Sequence, residues 1–141
     1  MRFMMIVKAS KDSEAGVLPS EKLLAAMAKY NEEMVKAGVM LDGSGLQPSS
    51  KGARVKFSGG KPRVIDGPFT EAKELIAGYW LIQAKDKEEA LSWVKRVPLD
   101  EGEELELRRV FEASDFADVL PPEEIAKEEA WREANQRPVT G

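Results

Sequence analysis

Cysteine and histidine are both absent from the 141 residues of this chain. Their absence excludes disulfide bonds, thiolate nucleophiles and histidine-based catalytic triads. It also excludes zinc, haem and iron–sulfur sites that are built on those side chains. Any proton transfer would have to use aspartate, glutamate, lysine or tyrosine. We therefore expect no metal centre and no bound cofactor.

Long hydrophobic runs are also absent. The longest apolar stretch, Leu75–Ile82, is far shorter than the ~20 residues that a membrane-spanning helix needs. At the amino terminus, the apolar run Phe3–Val7 is shorter than the ~7–15 residues of a secretory signal core. These observations predict a cytoplasmic protein that makes no contact with a membrane.

The charge of the chain is weakly negative and unevenly distributed. There are 21 basic and 25 acidic residues, which gives no basic excess for a nucleic acid to bind. Residues 112–141 carry a net charge of −5, whereas the remainder of the chain carries +1. Five basic residues are concentrated between Asp42 and Asp66, with no acidic residue among them: Lys51, Arg54, Lys56, Lys61 and Arg63.

Three interpretations of this basic segment stay open. It is an anion-binding or acidic-partner surface, or a hairpin whose edge charges prevent unwanted strand pairing. Alternatively, the acidic residues 112–141 dock on it, either within one chain or across two subunits.

Hydrophobic periodicity predicts alternating strands and helices. An apolar stripe with spacings of four, three and four (Leu23, Met27, Tyr30, Met34) predicts an amphipathic helix of about 18 residues that ends at Gly38. Ser58-Gly59-Gly60 between two β-prone runs predicts a hairpin of Ala53–Phe57 and Arg63–Ile65. The other predicted elements are strands Arg2–Lys8, Val39–Leu46, Leu75–Ala84 and Glu104–Phe111, a helix between Asp86 and Pro98, and a charged helix from Pro121 to about Ala134.

This order, β-α-β, hairpin, β-α-β, is typical of an α+β ferredoxin-like domain, here residues 1–111, followed by an acidic helical tail, residues 112–141. Such a domain has a four-stranded antiparallel sheet with both helices on one face. Alternation along the third long strand places Tyr79 and Leu81 on one face, and Trp80 and Ile82 on the other. Because both faces are apolar, we expect a homodimer that packs sheet to sheet.

One segment has a specific resemblance to a known family. Residues 66–74, DGPFTEAKE, followed by Gly78-Tyr79-Trp80, resemble the DGPF (DGPFAETKE) signature of the YciI-like, YCII-related domain family. The strand Arg2–Ile6, the helix end Lys36–Val39 and the turn Gly45–Pro48 also resemble that family, so the resemblance covers roughly residues 1–111. It implies a dimeric ferredoxin-like α/β barrel.

The function that the resemblance implies is less specific. Some YciI-like proteins have a His–Asp pair proposed as catalytic, and a relative dehalogenates a lactone; without histidine, this chain does not carry that pair. Other DGPF proteins are encoded beside extracytoplasmic-function sigma factors or fused to them. The resemblance therefore implies a small-molecule-binding protein, enzymatic or not, or alternatively a non-enzymatic regulatory module with a protein partner.

Three residues are the candidates for a site in a cleft between the sheet and the hairpin. Asp66 would act as a general base or accept a hydrogen bond, Arg63 would contact an anion, and Tyr79 would donate a hydrogen bond. Asp66 is the best catalytic candidate, although aspartate before Gly-Pro is also a common turn residue. The charged residues Glu71, Lys73 and Glu74 are read either as acid–base groups or as a solvated surface.

Overall fold

A computed structural model describes all 141 residues of the chain. Ten helices and strands are connected by loops and by three short 3-10 turns. They are β1 Arg2–Lys8, α1 Lys11–Glu14, α2 Glu21–Lys36, β2 Met40–Gly45, β3 Ala53–Ser58, β4 Lys61–Asp66, β5 Ile76–Gln83, α3 Lys87–Val94, β6 Leu105–Arg109 and α4 Pro122–Asn135.

The main sheet has the strand order β2-β5-β1-β6, and every neighbouring pair in it is antiparallel. The first strand lies in the middle, where Phe3 pairs with Ile82 on one side and with Arg109 on the other. This topology confirms the ferredoxin-like α+β fold, because the two halves of the chain interleave their strands in a single sheet.

The hydrophobic core lies between this sheet and the helices α2 and α3. The sheet contributes alternate residues, since Phe3, Met5 and Ile82 share the face that the helices cover. In α2, Tyr30 packs edge-on against the indole of Trp80 and donates a hydrogen bond of 2.8 Å to the Trp93 carbonyl. Burial raises the pKa of the Tyr30 hydroxyl, so this donor keeps its proton at ordinary pH.

Strands β3 and β4 form a separate two-stranded sheet, here called the ribbon. All twelve of their residues are exposed. The ribbon therefore does not cover the second face of the main sheet. Between β1 and α2, Ser10 and Ser13 cap the short helix α1 reciprocally.

The segment after β6 is attached to the body through Arg2, whose exposed fraction is only 8%. Its guanidinium donates to the Glu112 carboxylate at 3.0 Å and to the Gln136 side chain at 2.7 Å, so it holds both ends of the intervening chain. Further along, the Val139 amide donates to the Met40 carbonyl at the edge of the sheet. None of the helices is long and apolar enough to cross a membrane.

Candidate functional site

A cleft of about 380 Å³ lies between α2 and the end of the sheet at which β1 and β2 finish. Leu23, Leu24 and Met27 of α2 line one wall, and β2 and β5 line the opposite wall. This volume falls in the range of ~300–1,000 Å³ that is usual for small-molecule sites.

The cleft exists because glycines replace side chains along its sheet wall. A Cβ on Gly43 would lie 2.8 Å from the indole of Trp80, so glycine lets that ring lie flat against the strand. A Cβ on Gly45 would have no atom within 4 Å, which shows that the space beside this residue is open. The alternation of β2 places both glycines on the helix-facing side.

Asn31 provides an oriented polar group in the lining of the cleft. The indole nitrogen of Trp80 donates to its Oδ1 at 2.8 Å. This bond fixes the orientation of the amide, and its Nδ2 makes no hydrogen bond to the protein. The two N–H groups of Asn31 are therefore available to a ligand that carries a hydrogen-bond acceptor.

The rim of the cleft carries groups of both charges. Lys8 and the exposed Glu103 belong to the lining, and the ammonium of Lys8 lies 3.4 Å from the carboxylate of Glu106, which does not line the cleft. No group of three or more acidic side chains is arranged to hold a metal ion. Apart from this rim, the lining of the cleft is mainly apolar, with a few polar groups.

The three site residues predicted from the sequence are not brought together. Arg63 and Asp66 are exposed on β4, and neither lines the cleft. Tyr79 does line it, but its hydroxyl donates to the Asp42 carboxylate at 2.9 Å. The cleft itself lies between α2 and the sheet, and the residues of both ribbon strands are exposed.

The DGPF segment joins the base of the ribbon to the body of the domain. A Cβ on Gly67 would lie 1.9 Å from the Ser49 carbonyl oxygen, a distance that only glycine avoids. The amide of Phe69 donates to the Ser49 hydroxyl at 3.0 Å, and the guanidinium carbon of Arg54 lies 3.8 Å from the centre of the Phe69 ring. The Gly67–Pro68 peptide bond is cis.

Glu14 completes this junction and was not identified from the sequence. Its carboxylate accepts hydrogen bonds from the Ser49 amide, at 2.8 Å, and from the Ser49 hydroxyl. These bonds favour the ionised carboxylate, so they lower the pKa of Glu14. No local pattern could reveal the contact, since the two residues are far apart in the sequence and both lie in polar segments.

These observations define a class of protein. It is a ferredoxin-like α+β domain with an inserted ribbon and a cleft between helix and sheet. The chain belongs to the YCII-related domain family, whose match covers residues 1–114.

One curated protein and one solved structure are similar to the chain. The uncharacterised protein R00369 of Rhizobium meliloti (strain 1021) is 31% identical over 75 residues, which are 53% of this chain and 60% of that protein. A solved structure of 5-chloro-2-hydroxyhydroquinone dehydrochlorinase from Burkholderia phenoliruptrix AC1100, in complex with 2,5-dihydroxybenzoquinone, aligns over 82% of this chain and 98% of that chain. That alignment has a TM-score of 0.43 and 17% identity.

Proposed function

We propose that this protein binds a small organic molecule in the cleft between α2 and the sheet. The observation that carries the proposal is the open space beside Gly45, which belongs to a cleft of about 380 Å³. A structural core would be expected to fill such a space, because protein interiors are close-packed.

The lining indicates the chemistry of the ligand. Leu23, Met27 and the Trp80 indole favour a compact apolar body, since burying apolar surface stabilises a complex. The free N–H groups of Asn31 favour an acceptor on that body, such as a carbonyl, carboxylate or phenolic oxygen. We therefore propose small oxygenated organic molecules as the ligand class, whether or not the protein transforms them.

The cleft is tested by two variants that change different properties. Gly45→Val fills the open space, whereas Asn31→Asp keeps the acceptor for the Trp80 indole and removes both amide donors. Benzoate, phenol and cyclohexanone serve as probes, and the indole N–H resonances of Trp80 and of the exposed Trp131 are followed by NMR. The proposal predicts concentration-dependent shifts of the Trp80 resonance, which both variants weaken, and none for Trp131. Shifts that persist unchanged in Gly45→Val would contradict it.

The exposed strand β4 of the ribbon is a second candidate site, which retains two of the three residues proposed from the sequence. Arg63 and Asp66 make no side-chain hydrogen bond or ion pair, so an anion contact and a base are both available there. Asp66→Asn should leave folding intact, as judged by circular dichroism. If the ribbon holds the ligand, this variant loses binding; unchanged binding assigns the ligand to the cleft.

We further propose that the protein acts as a homodimer that packs sheet to sheet. On the face opposite the helices, the first strand presents the half-buried Met4 and Ile6, while the outer strands present polar residues such as Asp42 and Glu106. An apolar centre with a polar rim is typical of a protein interface. Native mass spectrometry at micromolar concentration should show a dimer, and a monodisperse monomer would contradict this arrangement.

A non-enzymatic regulatory or interaction module is the alternative function. The exposed ribbon and tail favour it, because both present surface that a protein partner could bind. The same native mass spectrum separates the two functions. Extra mass from a retained small molecule supports small-molecule binding. A ligand-free dimer that does not bind benzoate, phenol or cyclohexanone supports the interaction module.

A further inference from the structure

The ribbon is amphipathic, although both of its faces are exposed. Its register places Lys56 opposite Arg63 and Val55 opposite Val64, so one face is basic and the other apolar. The apolar face is strongly exposed, with exposed fractions of 81% for Phe57 and 65% for Val64. A soluble chain rarely presents such a surface without a partner.

The C-terminal segment carries the complementary properties. Residues 112–141 have a net charge of −5, and α4 has no buried residue. Before α4, the rings of Phe111 and Phe116 lie 4.9 Å apart, and the exposed fractions of Phe111 and Val119 are 68% and 77%. We call Phe111, Phe116 and Val119 the tail patch.

The two surfaces lie at opposite ends of the main sheet. The ribbon follows β2 where Gly45 pairs with Gly78, next to the end of β1 at Lys8. The tail is attached at the other end of β1, where Arg2 holds Glu112. These ends are separated by about 20 Å, at ~3.3 Å per residue of strand. No hydrogen bond or ion pair joins ribbon and tail within the chain.

We propose that the ribbon of one chain docks on the tail patch of a second copy, and that the second ribbon docks reciprocally on the first tail. A two-fold axis perpendicular to the strands exchanges the two ends of the sheet, so it brings each ribbon towards the other chain's tail. This inference rests on the homodimer proposed above and adds a second contact to the sheet-to-sheet interface.

Two forces act together in this contact. Docking buries Phe57 and Val64 against the tail patch. This burial of apolar surface stabilises the contact and acts only at short range. The basic ribbon and the acidic segment attract each other over about a Debye length, ~10 Å at 0.1 M salt, which favours the correct pairing. The occupant is thus a copy of this chain, because the chain itself supplies both complementary surfaces.

A charge-exchange experiment identifies the pairing. The double variant Lys56→Glu with Arg63→Glu reverses the charge of the ribbon. The double variant Glu129→Lys with Glu133→Lys reverses the charge of α4, at two acidic residues that form no side-chain ion pair. Each variant alone should raise the dimer dissociation constant about tenfold at low salt, measured by sedimentation equilibrium. Mixing the two variants should restore tight association as a heterodimer, because both contacts then join opposite charges.

Matched controls separate this contact from general effects of charge and exposure. Lys29→Glu with Lys95→Glu makes the same charge change at exposed residues outside any ion pair, and should leave the dissociation constant unchanged. Phe57→Ser should weaken the dimer at both low and high salt, whereas Leu18→Ser, at a residue with an exposed fraction of 84%, should not.

Three other outcomes would each contradict a different part of the proposal. A wild-type chain that is monomeric contradicts the homodimer and the docking together. A dimer whose dissociation constant is insensitive to both reversals and to Phe57→Ser contradicts the docking alone. Restoration in the chain that carries all four reversals, without restoration in the mixture, would mean that ribbon and tail meet within one chain.

Discussion

At the scale of single residues, Gly67 shows why the DGPF segment contains a glycine. Its α-carbon lies so close to the Ser49 carbonyl that any Cβ would overlap a backbone oxygen, at 1.9 Å. A backbone atom cannot rotate away as a side chain does, so the base of the ribbon would have to shift. The glycine therefore allows the ribbon to be joined to the body of the domain.

Gly67→Ala should lower the free energy of unfolding by about 3 kcal/mol, the upper part of the usual range for overpacking. Urea denaturation followed by fluorescence measures this change. Gly45→Ala is the matched control, since its Cβ would meet no atom within 4 Å and its effect should stay within about 0.5 kcal/mol. Equal stability of the two variants would show that the close approach at Ser49 is not maintained.

Asp66, by contrast, shows the limit of motif reasoning at the residue scale. The sequence singled out this segment by its resemblance to the DGPF signature, and the role of Asp66 in binding stays a prediction. The contacts in the structure belong to its neighbours: the Gly67 amide donates to the Gly52 carbonyl, and the Phe69 amide donates to the Ser49 hydroxyl. Such contacts depend on a turn that lies about twenty residues away, and no local pattern encodes that distance.

At the scale of elements, Glu14 joins α1 to the turn that precedes the ribbon. Its pKa is lowered because Ser49 donates two hydrogen bonds to the ionised carboxylate. A group with a lowered pKa in the folded state stabilises that state fully above its unfolded pKa, near 4.5, and loses the contribution as the pH falls through the folded value. The junction should consequently weaken only in acid.

The test compares the wild type with Glu14→Gln. The glutamine side chain is neutral and has only one acceptor oxygen, so it cannot replace the carboxylate that accepts both hydrogen bonds from Ser49. The difference between their free energies of unfolding should be larger at pH 6 than at pH 3, because the carboxylate of the unfolded chain, with its ordinary pKa of 4.5, becomes protonated first and the advantage of the folded state falls. Urea titrations at the two pH values provide both differences. A difference that does not change with pH would show that the ionised form has no advantage in the folded state.

The elements themselves were largely predictable. Period-two and period-3.6 patterns located the six strands, α2 and α4 to within a few residues, because each of these elements has its own local pattern. The cleft beside the hairpin stays a prediction, whereas the cleft between α2 and the sheet was not predicted, because it depends on an absent side chain at Gly45. The sequence marks Gly43 and Gly45 as irregularities, but it does not show that the Trp80 indole fills the space beside Gly43 while the space beside Gly45 stays open.

At the scale of the whole molecule, Arg2 connects the first residues of the chain to the last thirty. It is almost completely buried, and its bonds to Glu112 and Gln136 hold the acidic segment against the sheet. The sequence did not predict this contact, since these partners lie more than a hundred residues away. The cytoplasmic location and the dimeric state, which concern the whole molecule as well, stay predictions.

Arg2→Met should release the acidic segment while the ferredoxin-like domain stays folded. Losing hydrogen bonds to a charged group costs about 1.5–3 kcal/mol, so limited proteolysis between residues 117 and 121 should become much faster. Lys29→Met, at an exposed lysine outside any ion pair, is the control and should be cleaved at the wild-type rate. Unchanged cleavage of Arg2→Met would mean that the other contacts suffice to hold the segment.

The two sheets also differ in how far apart their paired residues lie along the chain. In the ribbon, Ser58 pairs with Lys61 and Ala53 with Asp66, whereas Phe3 in the main sheet pairs with both Ile82 and Arg109. Local pairs close quickly, and pairs with a large sequence separation close slowly. The ribbon should therefore be able to form before the main sheet, and the insertion of β1 between β5 and β6 should limit the rate of folding.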